Sequence, residues 1–148
     1  RSMKGRTMMS DKEKFEGFKR DLIKENEEKY GREVREAYGE DAVEASNRRL
    51  AGMSQEDWTK QEELSREILN TLKAAMEIGD PAGELAQKAC GLHRQWLCMF
   101  WGDGAYTREA HRGMGEMYVA DQRFKAYYDK VQDGAAEFFR DALNIYCS

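Results

Sequence analysis

The sequence predicts an all-α protein, a single domain of about seven or eight helices. Val, Ile and Thr, the stiff branched residues that sheets favour, number only four each in 148 residues. Good helix formers replace them, and apolar residues recur at helical spacing. Capping residues and glycines punctuate that spacing, with one proline in the whole chain.

The elements follow in order. Ser10 with Glu13 three residues on is a capping-box pattern, opening a stripe of Phe15, Phe18 and Leu22. Val34, Ala37 and Tyr38 read as a short second helix closed by Gly39, and Val43, Ser46, Leu50 and Met53 as a third. Ser54 caps a long helix carrying Trp58, Leu64, Ile68, Leu72 and Met76, stopped by Gly79. Asp80-Pro81 reads as a cap with proline in the first helical position, restarting the chain toward Trp101. Gly102-Asp103-Gly104 breaks that helix. Helices are then expected from Thr107 to Val119, from Asp121 to about Lys130, and over a last stripe of Ala135, Phe138, Phe139, Ala142, Leu143 and Tyr146.

Charge narrows the function. With 28 acidic and 24 basic residues the net charge is −4, a poor basis for nucleic-acid binding by this chain alone, which needs a basic stripe. The longest run without Asp, Glu, Lys or Arg is the eight residues Gln95–Gly102, far short of the roughly 20 apolar residues of a membrane span. No apolar signal peptide opens the chain. Three cysteines, Cys90, Cys98 and Cys147, make no disulfide framework and read as buried or half-buried thiols. A soluble, cytoplasmic protein is expected.

Composition is uneven along the chain. Residues 1–60 hold 28 charged residues (47%) and 14 large apolar ones; residues 61–148 hold 24 (27%) and 27. Residues 1–9 read as a linker or an expression remnant. Residues 10–60 form a charge-rich helical layer that is either docked permanently or ordered only when a ligand binds. Residues 61–147 form the helical core.

The segment His93 to Tyr118 is the most unusual. His93, Trp96, Leu97 and Phe100 share one helical face; Trp101 and Tyr106 flank the glycine break; Ala110, His111, Met114, Met117 and Tyr118 line the next helix. These residues suit either an ordinary core or a ligand cleft, since Met adapts to varied apolar shapes and Trp, Tyr and His bring polar tips into an apolar wall. Gly113 and Gly115 each cost about 1 kcal/mol against Ala inside a helix, which points to space for a ligand or for a close neighbouring helix. Enzyme signatures are missing: no phosphate loop, no nucleophile elbow, no zinc-protease helix. Cys90-x-x-His93 with His111 falls short of a four-ligand zinc site, and nothing specifies haem on His93 or His111. No cofactor, no metal and no catalysis are expected.

The run Gly115-Glu116-Met117-Tyr118-Val119-Ala120-Asp121-Gln122-Arg123-Phe124, followed by Tyr128-Asp129, Gly134 and Phe139-Arg140-Asp141-Ala142, resembles the TipAS antibiotic-recognition domain of MerR-type transcription activators. Glu33-Val34, Tyr38-Gly39, Arg49, Asp57-Trp58 and His93-Arg94 agree with it, so the resemblance covers about residues 30 to 147. It implies a globin-like helical fold holding antibiotics, especially thiopeptides, in a cleft. It also implies a winged helix-turn-helix and a dimerising helix in the full-length homodimer; neither is present in these 148 residues, so DNA is expected to be reached through a further portion. In some members a cysteine on the helix around His111 captures thiopeptides covalently. Gly113 stands at that place here, which argues for reversible binding, with Cys98 the remaining candidate nucleophile.

The resulting expectation is a sensor of a bulky, largely apolar antibiotic or xenobiotic. Trp96, Phe100, Trp101 and Tyr106 would supply stacking surface and His111 a hydrogen bond. Met114, Met117 and Tyr118 would form an adaptable wall, with Gly113 leaving room. A helical interaction module taking an amphipathic segment in the same groove is the alternative; a haem-binding globin relative would be coloured.

Overall fold

A computed structural model describes residues 10–101 and 104–148. Seven α-helices make up the described residues, with no strand among them: α1 (Asp11–Tyr38), α2 (Glu40–Ala51), α3 (Gln55–Ile78), α4 (Glu84–Phe100), α5 (Arg108–Ala120), α6 (Gln122–Asp129) and α7 (Ala135–Tyr146). The chain is all-α. The expected linker at residues 1–9 lies outside the described residues, as do Gly102 and Asp103 of the expected glycine break. The described residues group into two compact units: 10–58 with Phe100 and Trp101, and 59–99 with 104–148.

In the amino-terminal unit the capping box forms as the sequence indicates. Ser10 Oγ accepts from the Glu13 amide and Glu13 accepts from the Ser10 amide. The separate helix expected around Val34–Tyr38 is instead the end of α1, which runs for 28 residues. Two glycines, Gly17 and Gly31, lie within it. Gly31 is buried, and the side chains of Glu27 and Arg35, eight residues apart, meet across it in a bidentate ion pair, with Asn47 of α2 donating to the same carboxylate at 2.9 Å. The helix stops at Gly39, whose φ of 91° lies where residues with a Cβ are strained.

The carboxy-terminal unit holds the larger core. One stripe of α3 (Leu64, Ile68, Leu72, Ala75) joins Ala86, Ala89 and Cys90 of α4 and Ala135, Phe139, Ala142 and Leu143 of α7. Asp80-Pro81 does not begin α4. Asp80 closes a turn, accepting from Ala82 on its carboxylate and from Gly83 on its carbonyl, and the helix starts at Glu84. Thr107 and Asp121 cap α5 and α6 through their side chains. Asp129 at the end of α6 accepts from the Ala136 amide at 3.0 Å, anchoring the first turn of α7.

Candidate functional site

His93 on α4 sits at the centre of the carboxy-terminal unit, 1% exposed. Its Nδ1 lies 2.8 Å from His111 Nε2 on α5, and its Nε2 lies 2.9 Å from the Tyr118 hydroxyl, also on α5. His111, with no exposure at all, bonds through Nδ1 to the Tyr106 hydroxyl at 2.7 Å. At the other end the Tyr118 ring packs against Tyr128 of α6, centroids 4.6 Å apart. Two buried imidazoles and two phenols thus form a continuous polar chain. Apolar and aromatic walls enclose it: Phe139 meets His93 edge-on at 5.0 Å, and Trp96 stacks over it at 6.0 Å.

Helical spacing produces this arrangement. Tyr118 follows His111 by seven residues, two turns, so both project from one face of α5 toward His93. The faces can approach because Gly115, between them, carries no side chain: a Cβ there would lie 3.0 Å from Leu143 Cδ1 and 3.2 Å from Arg140 Cα of α7. Gly115 therefore serves helix packing. Gly113 differs: it is exposed, and a Cβ would meet nothing within 4 Å.

The electrostatics keep the two histidines neutral. Burial drives His93 well below the ordinary imidazole value, and neighbouring His111 drives it further. Burial, with a contribution from the Arg94 guanidinium, lowers His111 to about 4. Burial raises Tyr128 and pushes Tyr106 up to about 12, so both stay phenols. Arg94 stacks on the Tyr106 ring, 4.5 Å from its centroid.

Of the nine expected contact residues, His111 and Tyr118 are buried within the polar chain and Tyr106 is its half-buried end. Trp96 is half-buried and donates its indole N–H to Gln61 of α3 at 3.0 Å. Met114 and Met117 are half-buried against the core, and Gly113 faces open space. Phe100 and Trp101, both half-buried, group with the amino-terminal unit. Sequence reasoning passed over Gln61, which was visible as a polar residue three before Leu64, at the head of the apolar stripe of α3. The cysteines need one correction: Cys90 and Cys147 are buried, whereas Cys98 is exposed, being on the outer side of α4. Burial pushes the Cys90 thiol up to about 12, leaving it unreactive. Among the described residues no group of three or more His, Cys, Asp or Glu is placed to hold a metal ion, and no helix is long and apolar enough to cross a membrane.

Fold and site define an all-helical domain whose distinguishing feature is a buried polar chain that ends at the half-buried Tyr106. The chain belongs to the TipAS antibiotic-recognition domain family, whose profile matches residues 30–146. It is 32% identical over 146 residues to the HTH-type transcriptional activator mta of Bacillus subtilis, covering 99% of this chain and 56% of that protein. It is 35% identical over 147 residues to the HTH-type transcriptional activator TipA of Streptomyces coelicolor, covering 96% and 56%. The chain thus spans little more than half the length of these relatives. Among solved structures it is similar to TipAS of Streptomyces lividans in complex with the thiopeptide antibiotic nosiheptide. The TM-score is 0.68 and the identity 31%, covering 95% of each chain.

Proposed function

We propose that this chain is the effector-binding part of a cytoplasmic transcription activator and that it takes a bulky, largely apolar antibiotic of the thiopeptide kind. The observation that carries this reading is the likeness, over 95% of both chains, to a domain seen with nosiheptide bound. In this reading the half-buried Trp96, Tyr106, Met114 and Met117 meet the ligand. His111 and Tyr118, being buried, act from behind Tyr106. Phe100 and Trp101 contribute aromatic surface, a role that rests on their side-chain chemistry alone. DNA contact and dimerisation belong to the remainder of a full-length regulator, and binding involves no catalysis.

Binding is coupled to ordering of residues 10–60. What supports this is the sparse burial in that segment: among described residues, α1 buries Phe15, Lys19 and Gly31, and α2 only Val43 and Leu50. Such poorly buried helices occupy the low-stability end of a fold, where a ligand has leverage.

The test is a melting-temperature screen of the chain against antibiotics, nosiheptide included, because a ligand of the folded state stabilises it by mass action. A shift with nosiheptide or a relative is expected. Shifts from amphipathic helical peptides and none from any antibiotic would replace this reading with the interaction module.

A further inference from the structure

Gln61 is a polar side chain where helical spacing calls for an apolar one. It stands three residues before Leu64 and seven before Ile68, so it heads the stripe of α3 that faces the core. It is 6% exposed, and Trp96 of α4 donates its indole N–H to Gln61 Oε1 at 3.0 Å. An indole nitrogen can only donate, so this bond fixes the turn of the amide: the oxygen faces Trp96 and the NH2 group faces away. The indole is itself held, stacked on the His93 ring with centroids 6.0 Å apart. Trp96 therefore explains the oxygen of Gln61, but not its nitrogen. Among the described residues the Gln61 side chain makes this single hydrogen bond, and Nε2 has no protein partner. Yet no buried side-chain nitrogen or oxygen among those residues lacks a partner. Nε2 must then reach solvent, from a side chain that is otherwise covered.

We infer that Gln61 is a specificity-determining residue, its Nε2 holding a fixed N–H donor beside the Trp96 indole for an acceptor on a bound ligand. In the free chain this N–H is hydrated. A ligand that covers it must bring an acceptor of its own, or else leave a covered donor unpaired. The half-buried indole next to it offers a flat apolar surface. The ligand class that fits is thus a flat ring with an acceptor at its edge, a ring nitrogen or a conjugated carbonyl. A ligand of the same shape carrying only a donor or a methyl group at that edge is rejected. Trp96 has two tasks here, contact surface and orientation of the amide, and His93 steadies it from behind. The occupant's identity rests on the antibiotic-binding reading; the outward turn of the amide does not.

Both parts are tested with the full 148-residue chain labelled with 15N, its Gln61 NH2 signals assigned through the backbone. In the free chain these protons should exchange with water as fast as those of an exposed amide. Protection like that of the core backbone would overturn the outward turn. On addition of nosiheptide one of the two should move downfield as it meets an acceptor. Gln61→Glu keeps an acceptor for Trp96 and removes the donor. At pH 8, where the carboxylate is ionised, its affinity for nosiheptide should fall about three- to tenfold, the range of one net hydrogen bond. A merely structural role for Gln61 predicts full affinity in this variant and no downfield shift in the wild type, and either result would overturn the recognition role. Should the variant fail to fold, the wild-type shift decides alone. If the wild-type chain does not bind nosiheptide, the functional reading fails, and proton exchange still decides how the amide is turned.

Discussion

At Gly115 an added methyl group meets a fully buried Leu143 and the backbone of α7, neither of which can swing aside. Overpacking of this kind costs about 1–3 kcal/mol, against a gain of about 1 kcal/mol in helix propensity. Gly115→Ala should therefore lower the urea midpoint. Gly113→Ala, two residues away in open space, keeps the propensity gain and should raise it by the equivalent of up to about 1 kcal/mol. The buried histidines set a pH dependence of their own. Both have folded values below the ordinary 6.5, so in acid the unfolded chain takes up protons that the folded chain refuses. Their stabilising contribution is complete above about pH 6.5 and is lost as pH falls toward 4, the value for His111. The slope per histidine approaches about 1.4 kcal/mol per pH unit. Thermal midpoints taken between pH 7 and 5, where ordinary carboxylates remain ionised, should show this decline.

Among the elements, α1 and α2 are tied by polar contacts as well as by the few apolar residues they bury. Lys19 is 2% exposed, and its ammonium donates to the carbonyls of Ala51 and Met53, each at 2.7 Å, with Glu16 at 3.1 Å as counter-charge. A cation at the carboxyl end of α2 answers its unpaired carbonyls and its dipole. The Phe15 ring, 4.6 Å from the ammonium, covers the other side. Lys19→Met keeps most of the bulk and strands those acceptors, so a loss of about 2–3 kcal/mol is expected in this unit. Faster amide exchange in α1 and α2 would register it. The separate helix expected at Val34–Tyr38 is continuous with α1, and the Glu27–Arg35 pair that crosses Gly31 offsets the poor helix propensity of that glycine.

For the molecule as a whole the quantity of interest is the linkage between ligand and order. Nosiheptide at 100 times its dissociation constant should stabilise the chain by about 2.7 kcal/mol. Amide exchange over residues 10–60 should slow on binding, and equal strong protection with and without ligand would remove the ordering step. Intact-mass measurement after incubation should show an unmodified chain for the Cys98→Ser variant. Gly113 offers no nucleophile and Cys90 is a buried thiol, which leaves the exposed Cys98 as the candidate for any adduct.

The order of helices, most of their caps and the family were legible because they depend on neighbours in the chain. Ser10, Thr107 and Asp121 each cap residues two or three positions away, and a Met-Tyr-Val-x-Asp-x-Arg-Phe run is read directly. The sequence also pointed to His93, Tyr106, His111 and Tyr118 as one region. What it did not contain was the order in which they bond or the packing of Tyr128 against Tyr118 from another helix. Those depend on how closely α4, α5, α6 and α7 approach, and the approach of α5 to α7 is limited by side-chain volume at Gly115. Local propensity determined the helices; only tertiary packing decided that two histidines would be buried against each other and kept neutral by desolvation.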